Sequence, residues 1–384
     1  MKSNHWQTFQ ICIIVAMVLI IILSCNTKNA VIFSASSEDY KLKVEVEADS
    51  TKITMPFAMA FLPNGKMLLT NRTNGKIFQL DVASGEVTEI NDVPETLEFG
   101  GAGMQDIIIH DNYNENGWIY FSYVEMIKDL LSTMVVDRAK LKDKKLTGHQ
   151  RLFVALPYYK EPNYYGGRLV LKDGYLFITM GERYDLPDSA QLLSNHLGKV
   201  MRIFEDGHIP DDNPFVNTEN AKPEIWSYGH RNAQGLSLQP VTGELWEHEH
   251  GPKGDDEINI IQPGFNYGWP VICHGIDYEG KPIGMGLKEK EGMEQPLYYY
   301  LPSIAPAGME IYTGNVFSKW ENNLFIGAMA FTHLNRLVIE NNKVVHEQRI
   351  LKELKYRVRC VKQGPDGYLY IGVNGGKILR LMPE

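Results

Sequence analysis

A six-bladed β-propeller of four-stranded antiparallel blades is the fold class this 384-residue chain predicts, on three observations. Apolar strand–turn–strand units recur six times along the chain. Their spacing, about 55 residues per unit, fits a propeller blade with a long connection better than a sandwich strand pair. Long stretches of helical periodicity are absent. A β-sandwich or two stacked barrels is the competing all-β arrangement, and copies running the whole length argue against it.

In chain order, residues 1–24 read as an export signal. Lys2 precedes an apolar run from Ile11 to Leu23, too short for a spanning helix, which needs about 20 residues, and suited to a signal core. "IILSC" resembles a lipobox, with Leu23 in a place more often held by a smaller residue, so Cys25 is expected to carry a lipid after cleavage. Ordinary secretion with Cys25 incidental is the alternative. Either way the protein is expected to be exported, and as a lipoprotein it would sit in the periplasm or cell envelope, anchored to a bacterial membrane. Residues 25–45, polar and weakly periodic, are expected to be the anchor and a flexible tether, leaving 46–384 as the propeller.

The units follow in order. "MAFLPNGKMLLTNRTNGKIFQLD" begins at Met59, "IIIHDNYNENGWIYFSYVE" at Ile107 and "LVLKDGYLFITMGE" at Leu169. "LSLQPVTGELWEHEHG" begins at Leu236 and "VFSKWENNLFIGAMAFTHLNRLVI" at Val316, with Asn322-Asn323 at its turn. "VKQGPDGYLYIGVNGGKILRL" from Val361 completes the set. Turn dipeptides rich in Gly, Asn and Asp between alternating apolar runs are the hairpin signal. Blades converge on an axis, so function is expected on the long loops at one end, among them 156–168, 181–196, 228–235, 247–278, 301–310 and 355–360.

A net charge of −9 argues against nucleic-acid binding, which needs a basic footprint. Beyond Cys25 the exported chain keeps only Cys273 and Cys360, which do not make a disulfide framework.

"ELWEHEHGPKGDDEINII" (244–261) places six carboxylates and two histidines in eighteen residues. In a strand Glu247 and Glu249 would face one way and His248 and His250 the other. The histidine pair alone is short of a zinc site, which needs a third ligand. Gly251-Pro252 ends the strand, and carbonyl oxygens freed there beside Asp255, Asp256 and Glu257 are the hard oxygen set that calcium takes, about six to eight at a time. A solvated acidic turn is the plain alternative.

"PEIWSYGHRNAQGL" (223–236), "LWEHEHGPKGDDEINII" (245–261) and "PGFNYGWPVICHGIDYEG" (263–280) resemble consecutive signatures of the glucose/sorbosone dehydrogenase family. "SNHLGKVMRIFEDGHIPDDNPF" (194–215) and "YRVRCVKQGPDGYLY" (356–370) match it too, and the resemblance spans roughly 53–382. It implies a soluble quinoprotein aldose dehydrogenase that uses pyrroloquinoline quinone (PQQ) and Ca²⁺, moving a hydride from a sugar C1 hydroxyl to the quinone on a six-bladed propeller. Its site residues carry over as Arg231, Asn232, Tyr278, Arg357 and Arg359 for the cofactor. Gly251 and Pro252 match the carbonyls of the cofactor's calcium, and Glu257 with the Tyr267 main chain a second calcium. The partner implied is a small sugar; the electron acceptor stays unknown.

Four positions depart from the family pattern. Tyr164 stands where the family has its histidine base, and a phenol of ordinary pKa about 10 is a donor near neutrality. Ala102 replaces a glutamine, unless Gln105 reaches round; Glu182 replaces an aspartate; Ala330 replaces a basic contact. A calcium-binding propeller that holds a sugar or other small ligand without redox chemistry is therefore the alternative, and a calcium-assisted lactonase a third.

Overall fold

The computed structural model describes residues 31–384, so the signal segment and Cys25 lie outside the described residues. Six antiparallel sheets surround one axis. Blade 1 comprises Pro56–Phe61, Met67–Asn71, Lys76–Asp81 and Glu86–Glu89; blade 2 Met104–Ile109, Trp118–Lys128, Leu131–Lys142 and Lys145–Val154. Blade 3 comprises Leu169–Lys172, Tyr175–Met180, Lys199–Phe204 and Ile225–Tyr228; blade 4 Ala233–Leu238, Leu245–Glu249, Asp256–Ile261 and Tyr298–Tyr300. Blade 5 comprises Pro306–Ile311, Leu324–Ala328, His333–Glu340 and Lys343–Ile350. Blade 6 opens with Val358–Gln363, Leu369–Val373 and Lys377–Pro383.

Two N-terminal strands, Val31–Ser36 and Lys41–Asp49, add to the outer side of blade 6 and make it five-stranded. This corrects the expected tether through residue 45. Leu42, Val44 and Val46 alternate into the core at 0–2 % exposure, with Val44 paired to Leu381. Pairing the two chain ends in one sheet closes the ring and leaves no open edge between first and last blades.

The fifth unit also differs from expectation. The inner strand of blade 5 is Pro306–Ile311, whereas Ser318–Trp320 is a 3₁₀ turn. The Phe317 and Trp320 rings stack at 4.4 Å and plug the core of blades 5 and 6, so burial of aromatics overrides a strand there. Predicted loop 301–310 is correspondingly shortened by that strand.

Five of the six inner strands carry a bulge or register break in their first residues, at Pro56/Ala58, Met104/Asp106, Ala233/Gly235, Ala307/Met309 and Val358/Cys360. Such breaks turn side chains out of the ladder and toward the axis. At the opposite end the axis opens into a cavity of about 430 Å³, where Lys362 pairs with Glu310 at 2.8 Å. The site lies at the bulged end.

Candidate active site

The segments entering the inner strands and those joining second to third strands meet at that end. Arg231, just before the inner strand of blade 4, is 4 % exposed. Its Nη1 donates to the His250 and Gly251 carbonyls, both at 2.7 Å, and its Nη2 to the Tyr164 hydroxyl at 3.0 Å. The guanidinium lies over the rings of Tyr164 at 4.7 Å and Trp269 at 5.0 Å, and its Nε has no partner. Asn232 is buried, its side-chain oxygen taken by Gln234 at 3.1 Å. Gly251 is thus not the bare carbonyl the sequence suggested. Arg231 uses one of its two lone pairs and leaves one.

Arg359 is 7 % exposed, with Nε on Asn374 at 2.6 Å and Nη1 on the Met329 sulfur at 2.7 Å. A thioether is a weak acceptor, so that side of the guanidinium is poorly served. Burial and the neighbouring Arg357 push Arg359 down to about 10. Arg72 of blade 1 joins them, pushed down to about 9 by burial and by the charges of Arg359 and Arg168. Both Arg231 and Arg359 act on His250 through their charge and disfavour its protonation, which brings the two arginines to one neighbourhood. Among the described residues none of Arg72, Arg231, Arg357 or Arg359 forms an ion pair. Clustered cations without counter-ions are a receptor for an anion.

Tyr164 sits at φ +55 and touches Arg231 and the exposed Tyr278 through its hydroxyl. Burial, against the pull of Arg231, pushes it up to about 12. Next to it the chain passes very close: a Cβ on Gly181 would lie 2.2 Å from the Tyr164 carbonyl oxygen. This approach brings in Glu182, 1 % exposed, whose N–H donates to the Arg231 carbonyl at 2.9 Å. Its Oε2 has no hydrogen-bond partner. Burial outweighs Arg231 and the Tyr184 and Leu186 N–H groups, and pushes Glu182 up to about 7.

Arg183 shapes the Tyr164 loop. Fully buried and at φ +71, it donates to the carbonyls of Ser132 at 3.0 Å, Tyr159 at 3.3 Å, Asn163 at 3.1 Å and Glu161. It also reaches the Tyr165 hydroxyl at 3.1 Å and lies 4.0 Å from the centre of that ring. Only a five-donor fork meets so many acceptors. Arg183→Met is expected to cost about 3 kcal/mol, since several buried carbonyls lose their donor. Urea denaturation reads this directly; a loss below about 1 kcal/mol would contradict the role.

The acidic stretch is not a solvated turn. Asp256 accepts from the N–H groups of Gly251 at 3.0 Å and of Ile304 and Ala305, both at 2.8 Å, pinning the bend to blade 5. Asp255 is 3 % exposed and accepts from His274 N at 2.7 Å. His248 and His250 contact the Gly308 and Pro306 carbonyls at 3.1 and 2.6 Å, so both are wall residues. On the other face Glu247 and Glu249 are buried, and burial raises both carboxyls well above their ordinary range. Glu257 shares the Asn259 amide with Glu247, each at 3.2 Å. The Tyr267 ring lies on His230 at 4.6 Å, placing Glu257 and Tyr267 at the border of one acidic cluster.

Gln105 does not reach round. It is 1 % exposed and donates to the Gly101 carbonyl at 3.0 Å, while Ala102 is buried and Ala330 carries no charge into the site. Cys273 and Cys360 are free and buried. Sequence reasoning missed Arg72, Arg183 and His230. Only His230, in "GHRN", had a local signal.

The glucose/sorbosone dehydrogenase family model matches residues 53–380. The chain is 38% identical over 347 residues to the aldose sugar dehydrogenase YliI of Escherichia coli, covering 89% of this chain and 93% of that one. The crystal structure of the soluble aldose sugar dehydrogenase of Escherichia coli in the apo-form superposes with a TM-score of 0.85 at 37% identity, covering 89% of this chain and 100% of that one. The PQQ-bound form of the aldose sugar dehydrogenase of Streptomyces coelicolor superposes at 0.71 with 25% identity, covering 90% and 99%.

Proposed function

The chain belongs to the glucose/sorbosone dehydrogenase family and is an enzyme of the sugar-dehydrogenase kind, and from that premise we propose an exported aldose dehydrogenase dependent on PQQ and calcium. The observation that carries the cofactor assignment is the gathering of Arg72, Arg231, Arg357 and Arg359, none of which forms an ion pair among the described residues. A tri-carboxylate ring matches such a receptor in charge and in hydrogen-bonding fork.

Arg357, Arg359 and Arg72 would hold the carboxylates, and Arg231 with Asn232 and Tyr278 would orient the ring. Gly251 and Pro252 would offer calcium their carbonyl oxygens, Gly251 sharing its own with Arg231. When bound, the quinone supplies a two-electron acceptor and calcium a Lewis acid beside it. The phenol of Tyr164 keeps its proton at neutral pH and serves as a hydrogen-bonding wall. Glu182 Oε2, buried and without a partner, is the group we assign to take the sugar hydroxyl proton. A base near the working pH is the efficient one.

Glu257 and the Tyr267 main chain would take a second calcium. Burial, Glu249 and Asp255 leave the Glu257 carboxylate strongly uncompensated, as a cation site should be before its ion arrives. The signal segment and Cys25 support export and a lipid anchor.

Adding PQQ and Ca²⁺ to the purified protein is expected to give the bound-quinone absorbance and aldose-dependent dye reduction. Quinone that fails to bind at saturating calcium would remove the cofactor assignment; quinone that binds without dye reduction would leave a ligand-binding propeller. Calcium added back to chelator-treated protein is expected to raise Tm, because an ion bound only by the native state stabilises it, and an unchanged Tm counts against both calcium assignments.

A further inference from the structure

We propose a further metal site in blade 4, independent of the quinone assignment, in which His230 Nδ1 and the carboxylates of Glu247 and Glu249 hold one first-row divalent cation of the zinc or manganese class. Their ligand atoms all lie within 4.8 Å of one another, with His230 Nδ1 at 3.9 Å from Glu249 Oε1. Ligands of one such ion sit about 2.0–2.2 Å from it and so up to about 4.4 Å apart, which a small contraction achieves.

Each of the three residues is held on one side and offers the other. His230 Nε2 contacts the Ser227 hydroxyl at 2.9 Å, and its Nδ1 has no hydrogen-bond partner. Glu247 Oε2 accepts from Asn259 at 3.2 Å, and its Oε1 has none. Glu249 Oε2 accepts the main-chain N–H of Arg231 and, at 3.2 Å, of Asn232; its Oε1 lies 3.9 Å from His230 Nδ1, and the carboxyl also shares a proton with Glu257, which ion binding would release. This is how metal ligands are oriented by outer hydrogen bonds. His230 and Glu247 are 0 % exposed and Glu249 2 %, so water does not satisfy these atoms.

Local cations do not satisfy them either. Lys199, buried nearby, gives its amine to the Ser189, Ala190 and Leu197 carbonyls at 3.0, 3.0 and 2.6 Å. Arg231 turns its guanidinium to the His250 and Gly251 carbonyls and Tyr164. Buried carboxylates without a partner are costly, and a metal ion removes that cost. The imidazole nitrogen sets the class, since calcium takes oxygen and zinc or manganese accepts mixed nitrogen and oxygen. The donor set differs from that of the calcium assigned to Glu257 and Tyr267, which adjoins this site through the Glu249–Glu257 hydrogen bond and the His230–Tyr267 stack. The ion would tie Leu245–Glu249, the second strand of blade 4, to the segment that carries Arg231.

The test uses the full exported chain, refolded after chelation with Zn²⁺ or Mn²⁺ present. One tightly held equivalent is expected, with a rise in Tm of several degrees and, for Mn²⁺, nitrogen hyperfine coupling from an imidazole in electron-spin-echo spectra. Glu247→Gln is expected to weaken binding at least tenfold, and Glu219→Gln, at an exposed carboxylate outside the cluster, to leave it within threefold. Manganese bound without imidazole coupling, calcium competing at equal affinity, or no stoichiometric uptake overturns the site. If Glu247→Gln does not fold, the imidazole coupling in the unmodified protein decides. Quinone binding is read separately, by absorbance, so loss of one assignment leaves the other standing.

Discussion

Glu182→Gln is expected to lower aldose oxidation by the PQQ- and calcium-loaded protein about 10²–10⁴-fold, the usual worth of a positioned base. The amide keeps the size and the hydrogen bonding of the carboxylate but has no proton-accepting oxygen of comparable basicity. Tyr164→Phe is expected to stay within about tenfold, because a phenol pushed up to about 12 keeps its own proton at neutral pH and takes none from the substrate. The two variants discriminate between positions. A Tyr164→Phe enzyme slower than Glu182→Gln would return the base to the tyrosine. In the unmodified enzyme kcat/KM is expected to rise through pH about 7 as Glu182 ionises.

The same carboxyl has a signature in stability without cofactor. Its folded pKa, about 7, lies above the ordinary carboxylate value of 4.5, so the native state holds the proton more tightly than the unfolded chain. Below about pH 4.5 both states are protonated and the group contributes nothing. Between 4.5 and 7 the unfolded chain ionises first, and stability falls as pH rises, by about 3 kcal/mol in all from this group. Glu182→Gln removes that slope. Urea midpoints of variant and parent should therefore diverge from pH 5 to pH 8, the variant becoming relatively more stable; parallel curves would place Glu182 in an ordinary, solvated setting.

What could be read from the sequence follows the range of the interactions. Hairpins such as Leu169–Met180 are local, and their alternation and turns announce them without any partner. The pairing of Arg231 with the Gly251 bend spans twenty residues and is held inside one recognisable run of motifs. The strand Lys41–Asp49 was misjudged because its alternation has meaning only beside Lys377–Pro383, at the other end of the chain. For Asp255 and Asp256 a solvated turn stays open from the sequence beside the calcium-type oxygen set, because the N–H groups that make burial tolerable for Asp256 come from residues 304 and 305 of the next blade. Arg72 enters the cation cluster from blade 1, and Arg183 gathers acceptors spread from Ser132 to Tyr165. No short window contains those sets.

Arg231→Met is expected to weaken PQQ binding by about 2–5 kcal/mol, at least 30-fold in Kd, measured by titrating the quinone absorbance with and without calcium. Three contacts depend on this one guanidinium. The His250 and Gly251 carbonyls lose a donor at 2.7 Å, so the bend that would offer calcium its oxygens loses its brace. The Tyr164 hydroxyl loses its 3.0 Å contact and its fixed position. The group of Arg72, Arg357 and Arg359 also loses a positive charge from its neighbourhood, since Arg231 and Arg359 both act on His250. Arg231→Lys separates charge from shape. An ammonium keeps the positive charge but is a compact donor on a flexible stem, and it does not span acceptors on two sides as a planar fork does. The expected order of affinity is therefore arginine, then lysine, then methionine, with lysine recovering only part of the loss. A methionine variant that binds PQQ within threefold of the parent would show that the guanidinium is a brace between blades 3 and 4 and no part of an anion receptor.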